Sequence, residues 1–139
     1  MSGVATLRDL ADRAAVVDLL HGVGRWLDEN RFDAAADLFT AEASVTTPGG
    51  TVTGLAGVIE QARRGHDQPT QHRITDVLVD LRGDRAAVGA NLVATWVDAP
   101  EAHRSVGGRY RCDARRTTAG WRLERLELIP TWQSHTAGA

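Results

Sequence analysis

Pro69-Thr-Gln-His72-Arg-Ile-Thr-Asp-Val-Leu-Val-Asp-Leu81, followed by Arg82-Gly-Asp84, is the stretch from which the rest of the chain can be read. Aliphatic and β-branched residues dominate from Ile74 to Leu81 and a glycine-containing turn follows, so the segment reads as the first arm of a long antiparallel hairpin. The second arm, Arg85 to Asp98, alternates Val88, Ala90, Leu92, Ala94 and Trp96 on one face, the period of a half-buried strand. Further strands are predicted from His103 to Thr117 and, beyond the Thr118-Ala-Gly120 turn, from Trp121 to Trp132. With the first arm, the three long strands that follow it, joined by tight turns, make a curved antiparallel sheet that helices must cover.

Those helices lie upstream. From Thr6 to about Glu29 the residues Leu7, Leu10, Ala14, Val17, Leu20, His21, Gly24, Leu27 and Asp28 recur at helical spacing. Thr6 and Asp9 have the spacing of a capping box. The stripe is apolar for three turns and then offers His21, Gly24 and Asp28, so either Asp28 turns to solvent or it has a buried partner. A second helix is expected over Phe32 to Phe39, with Phe32, Ala35, Ala36 and Phe39 inward. Short strands at Ser44–Thr47 and Thr51–Thr53 flank the Pro48-Gly-Gly50 turn, and a third helix spans Gly54 to Arg64. The prediction is one α+β domain over 1–139, a cone-shaped curved antiparallel sheet covered by three helices. Its ordered core runs from about 6 to 133, with Ser134 to Ala139 loose.

The 139 residues suffice for one core without staples. A net charge of −2 gives no electrostatic reason to expect nucleic acid or an anionic membrane as partner. All sixteen basic residues are arginine, which with the many Ala and Gly points to a GC-rich coding sequence. Cys112 is the sole cysteine, so neither an intramolecular disulfide nor a multi-cysteine zinc site can form. The start of the chain lacks the basic and apolar run of a leader, and no stretch is apolar for about eighteen residues, so a cytoplasmic protein is expected. The histidines 21, 66, 72, 103 and 135 show no metal-ligand spacing, and no glycine-rich phosphate loop follows a strand. No cofactor is expected.

His72 opens the first long strand where a sheet meets its rim, and an imidazole there suits acid and base chemistry near neutral pH. Taken alone, a strand histidine is more often a hydrogen-bonded structural or surface residue.

The order of helices, short strands, helix and three-strand meander resembles the SnoaL-like branch of the nuclear-transport-factor-like superfamily, which also includes scytalone dehydratase, ketosteroid isomerase and hexachlorocyclohexane dehydrochlorinase. The resemblance rests on Arg13-Ala-Ala-Val-Val-Asp-Leu19 leading to Leu27-Asp28, on Phe32-Asp-Ala-Ala-Ala-Asp-Leu-Phe39, on Gln71-His72, on Gly108-Arg-Tyr110 and on Gly120-Trp-Arg-Leu123. It implies that Asp28, from the first helix, pairs with His72. Arg125, in the position of an arginine that follows the last strand's tryptophan in the dehydrochlorinase, is implied as a third catalytic group. The dehydrochlorinase's helix lysine has Val23 in its place here, which speaks against dechlorination.

An aspartate accepting one imidazole N–H fixes the ring's tautomer and makes the other nitrogen more basic. Arg125 shares a strand face with Trp121 and Leu123 under strict alternation, where its guanidinium would hold an oxyanion. The alternative is an Asp–His–Arg network that only ties helix to sheet. Val17, Leu20, Phe39, Trp96, Trp121 and Leu123 are expected to line a pocket for a small hydrophobic organic ligand, with His21 entering it. Tyr110 would orient a carbonyl or pack as a sheet aromatic. The resemblance implies elimination of water, cyclisation or isomerisation of a polyketide-like or other secondary metabolite, in a homodimer joined through the outer sheet face. The alternative is a non-catalytic binding or assembly module.

Overall fold

The computed structural model describes residues 6–136. Met1 to Ala5, the start of the stretch read as leaderless, and residues 137–139 of the tail lie outside them.

Helix α1 (Leu7–Asp28) begins at Thr6, whose hydroxyl accepts from the Asp9 N–H while the Asp9 carboxylate accepts from the Thr6 N–H. Two of the donors that every helix start leaves unpaired are thereby satisfied. A short 3-10 helix (Phe32–Asp37) follows, with Phe32 and Ala35 buried. Strand β1 (Phe39–Thr47) and β2 (Gly50–Thr53) form a hairpin, and α2 (Leu55–Gly65) leads into β3 (Thr70–Arg82). Strands β4 (Arg85–Ala99), β5 (Ala102–Thr117) and β6 (Gly120–Thr136) complete the meander. The predicted second helix is thus a 3-10 turn, and Phe39 starts a strand. The expected loose tail is paired as far as Thr136, which lies opposite His103.

The sheet has the order β2-β1-β6-β5-β4-β3, curved and unclosed. It is not wholly antiparallel, because β1 runs parallel to β6. Helix α1 crosses the concave side, and Arg13 Nη1 donates to the Val79 carbonyl of the edge strand at 2.7 Å. Among the described residues no helix is long and apolar enough to cross a membrane. The outer face, where pairing of copies is expected, carries exposed Leu78 and Trp132.

Two irregularities decide which residues face inward. Pairing of β6 with β5 runs Ala114↔Leu123 and then Asp113↔Arg125, so Glu124 is an extra residue. Such a bulge resets the two-residue alternation. Trp121 and Leu123 point in, Leu126 and Leu128 point in, and Arg125 between them points out. The second irregularity lies between Gly107↔Trp132 and Gly108↔Pro130. A Cβ on Gly108 would stand 2.3 Å from the Ile129 carbonyl oxygen, so only glycine permits this approach of β5 and β6. Gly108→Ala is expected to lower stability by about 1–3 kcal/mol, the usual cost of overpacking. Denaturant unfolding reads the change, and an unaltered midpoint would remove this explanation of the glycine.

The inward face of α1 also differs from the expected stripe. Asp12, Val16, Leu19, Leu20, Val23, Gly24, Trp26 and Leu27 are buried, whereas Leu7 and Leu10 are 86% and 55% exposed. The phase is set by Asp12, a carboxylate that sequence polarity assigns to solvent. Arg116 clamps it through Nη1 at 2.9 Å and Nη2 at 2.6 Å, and the Trp121 indole N–H donates at 3.1 Å. Arg116 also stacks 4.9 Å above the Trp121 ring and reaches Asp84 through Nε at 2.8 Å. The Arg116 hydrogen bonds hold the Asp12 carboxyl down at about 2. Charge-assisted and bidentate, this cluster fills the end of the cone away from His72.

Candidate active site

The last turn of α1 meets the first turn of β3 at Asp28. Its Oδ1 accepts from Thr70 Oγ1 at 2.9 Å and lies 2.6 Å from His72 Nδ1, and its Oδ2 accepts from the His72 backbone N–H at 2.8 Å. Because β3 is an edge strand, that N–H has no neighbouring strand to take it, and the carboxylate serves instead. A carboxylate at a helix C-terminus opposes the helix dipole, and three donors offset this. Helix and strand pack closely at Gly24, where a Cβ would lie 3.3 Å from Ile74 Cδ1 and 3.5 Å from His72 Cβ.

A carboxylate only accepts, so His72 Nδ1 carries the proton and in the neutral ring Nε2 keeps its lone pair. The His72 side chain is 2% exposed and forms part of the wall of a cavity of about 470 Å³. Burial lowers its pKa from the ordinary 6.5, while the bond to Asp28 works the other way. At neutral pH the ring is therefore an uncharged base facing the cavity, backed by a carboxylate that will stabilise its protonated form.

The walls are largely apolar, contributed by Val23, Trp26, Leu27, Phe39, Leu92 and Leu128 among others. Trp96 stands beside His72 with ring centroids 5.8 Å apart, its indole N–H donating to the Gly65 carbonyl at 2.8 Å. His66 completes an aromatic group, 5.2 Å from His72 and 5.7 Å from Trp96. Its Nδ1 lies 2.8 Å from the Ala62 carbonyl oxygen, which fixes the proton on Nδ1, and burial lowers its pKa. Tyr110 enters from β5. Burial raises its pKa, so it stays an O–H donor. Among the described residues no three His, Cys, Asp or Glu side chains gather as a metal cluster would.

Of the sequence-derived candidates, His72, Phe39, Trp96 and Tyr110 lie on the cavity wall, with Asp28 directly behind His72. Arg125 does not: the bulge at Glu124 turns it outward, where Nε donates to Asp113 at 3.0 Å. His21 is exposed on the outer side of α1, above a shallow surface hollow shared with Asp28 and Arg73. Val17 is half-buried away from the wall, because the helix is rotated from its expected phase. Leu20 and Leu123 are solid core. Trp121 belongs to the Asp12–Arg116 cluster at the opposite end.

Sequence reasoning missed His66, Trp26 and Arg104 as wall residues. The only signal for His66 is its place at the end of α2, one short link before His72, which brings both rings to the same rim. Trp26 was recoverable from a correct helix phase. Arg104 shares the inward parity of Val106 and Tyr110 on β5.

Fold and site together define an open-cone α+β protein with an aspartate-supported histidine on the wall of a mainly apolar cavity. A model of the SnoaL-like domain matches residues 8–127, and the chain belongs to that family. It is similar in structure to a candidate aromatic ring hydroxylase from Novosphingobium aromaticivorans, with 27% identity, coverage of 91% of this chain and 94% of that one, and a TM-score of 0.83. A hexachlorocyclohexane dehydrochlorinase from Novosphingobium barchaimii is 19% identical, with 97% of each chain covered and a TM-score of 0.86. A candidate scytalone dehydratase from Novosphingobium aromaticivorans is 19% identical over 94% of this chain and 91% of that one, with a TM-score of 0.81. The latter two likenesses show the shared fold. No curated protein matches the chain.

Proposed function

We propose that the protein is a cofactor-independent acid–base enzyme acting on a small hydrophobic organic molecule, as a dehydratase or related lyase, a cyclase or an isomerase. The observation that carries this reading is the buried His72 ring, its Nδ1–H given to Asp28 and its other edge on a largely apolar cavity.

In a dehydration, Nε2 removes a proton from the carbon beside a carbonyl. The C–H pair becomes the new C=C bond as the β-hydroxyl departs, and the imidazolium returns its proton to that hydroxyl, releasing water. Asp28 stabilises the transient imidazolium. Tyr110 donates a hydrogen bond to the carbonyl oxygen as negative charge develops there, the task the sequence assigned to Arg125. Val23 presents hydrocarbon to the cavity and no amine. A hydroxylated polyketide-like compound is the substrate class in view.

The reading is tested by turnover of such compounds across pH. Because burial lowers the His72 pKa, the base form persists on acidification below the ordinary 6.5. The expected kcat/KM is flat near neutrality and falls with an apparent pKa below 6.5. A rise in kcat/KM on acidification contradicts a neutral histidine base.

A further inference from the structure

We infer that the substrate carries a carboxylate, bound by the terminal nitrogens of Arg104 at the mouth of the cavity, with its aromatic or unsaturated body lying along Trp96 toward His72. The inference rests on the cavity being a ligand site, as proposed above, and adds the chemistry of its rim.

Arg104 sits directly across from Trp96 in the β4–β5 pairing, and its guanidinium lies 4.9 Å from the centre of the indole ring. Its orientation is built from behind. Nε donates to Asp98 Oδ2 at 3.1 Å, and Asp98 Oδ1 accepts from Gln68 Nε2 at 2.8 Å. Only the Nε edge is used, and the two Nη groups make no hydrogen bond among the described residues. An arginine locked by stacking and by one carboxylate, with its terminal nitrogens free, is arranged for a planar two-oxygen anion.

Beyond Arg104 the wall carries one other arginine and one carboxylate. Arg64 shares the wall and meets Glu60 only at 3.7 Å, with both side chains exposed. Asp67 is the one carboxylate on the same wall. From the guanidinium to the Trp96 ring is 4.9 Å and from that ring to the His72 ring 5.8 Å. A bicyclic or extended aromatic acid spans that path, placing its far end at the base. The deeper walls, by contrast, offer a carboxylate no cation.

The test compares two probes of like shape, 2-naphthoate and 2-naphthylmethanol, by calorimetry or tryptophan quenching at neutral pH. The expected result is naphthoate binding about tenfold tighter, as one charge-assisted contact gives. Arg104→Gln should erase the difference by weakening naphthoate alone. Arg104→Lys, which keeps the charge but not the fork, should retain only part of it. Equal binding of both probes to the unaltered protein, or naphthoate affinity indifferent to Arg104→Gln, overturns the carboxylate inference and leaves the apolar cavity standing. Failure of both probes to bind overturns the cavity reading as well.

Discussion

His72→Ala is expected to lower turnover by about 10²- to 10⁴-fold, the range that a positioned general acid or base supplies. Ligand affinity should change far less than turnover, because one wall side chain is shortened while the other apolar walls and the rim remain. The split between kcat and binding is the informative part. A transition-state group lost from an intact pocket lowers kcat, whereas a collapsed pocket raises KM. A non-catalytic binding module of the same fold would show no turnover in either form. Turnover retained by His72→Ala would remove the histidine from the chemistry.

Asp28→Asn carries the second large effect, and it acts through tautomer and stability together. The carboxylate accepts three hydrogen bonds, from the Thr70 hydroxyl, the His72 N–H and the His72 ring. An amide has one accepting oxygen and a donating NH₂, so its NH₂ faces either the His72 backbone N–H or, in the other orientation, both the Thr70 hydroxyl and the His72 ring. If the NH₂ meets Nδ1, the ring must carry its proton on Nε2 and loses the lone pair that faces the cavity. Turnover should fall by about 10²-fold or more, and stability by about 1–3 kcal/mol for a lost charge-assisted bond. The pH profile separates this from simple damage. Asp28 is what raises the His72 pKa against burial, so the residual activity of Asp28→Asn should have its acid limb moved to still lower pH. A limb moved upward, or an unchanged kcat, would contradict the positioning role.

Strand positions were legible because alternation, glycine turns and β-branched runs are local signals. The β3–β4–β5–β6 meander, with its Arg82-Gly-Asp84 and Thr118-Ala-Gly120 turns, is where the sequence puts it. Arg125 was misplaced because alternation is only as good as the register, and a one-residue bulge at Glu124 leaves no local mark. The phase of α1 was misread because Asp12, polar in sequence, is inward in the fold. Its partners Arg116 and Trp121 come from the far end of the chain. That contact is tertiary, and no helical period contains it. The Asp28–His72 meeting was reached through resemblance to a family and through the oddity of a carboxylate on an apolar stripe. His66 and Arg104 stayed hidden, since each is ordinary locally and gains meaning only beside Trp96.

The most direct test of the account is the protonation of the two His72 ring nitrogens, read by long-range proton–nitrogen NMR of the intact protein across pH. The account predicts a protonated Nδ1 and an unprotonated Nε2 at neutrality, with the second proton taken up only below the ordinary pKa of 6.5. A proton on Nε2, or a ring already charged at neutral pH, would contradict a base poised toward the cavity.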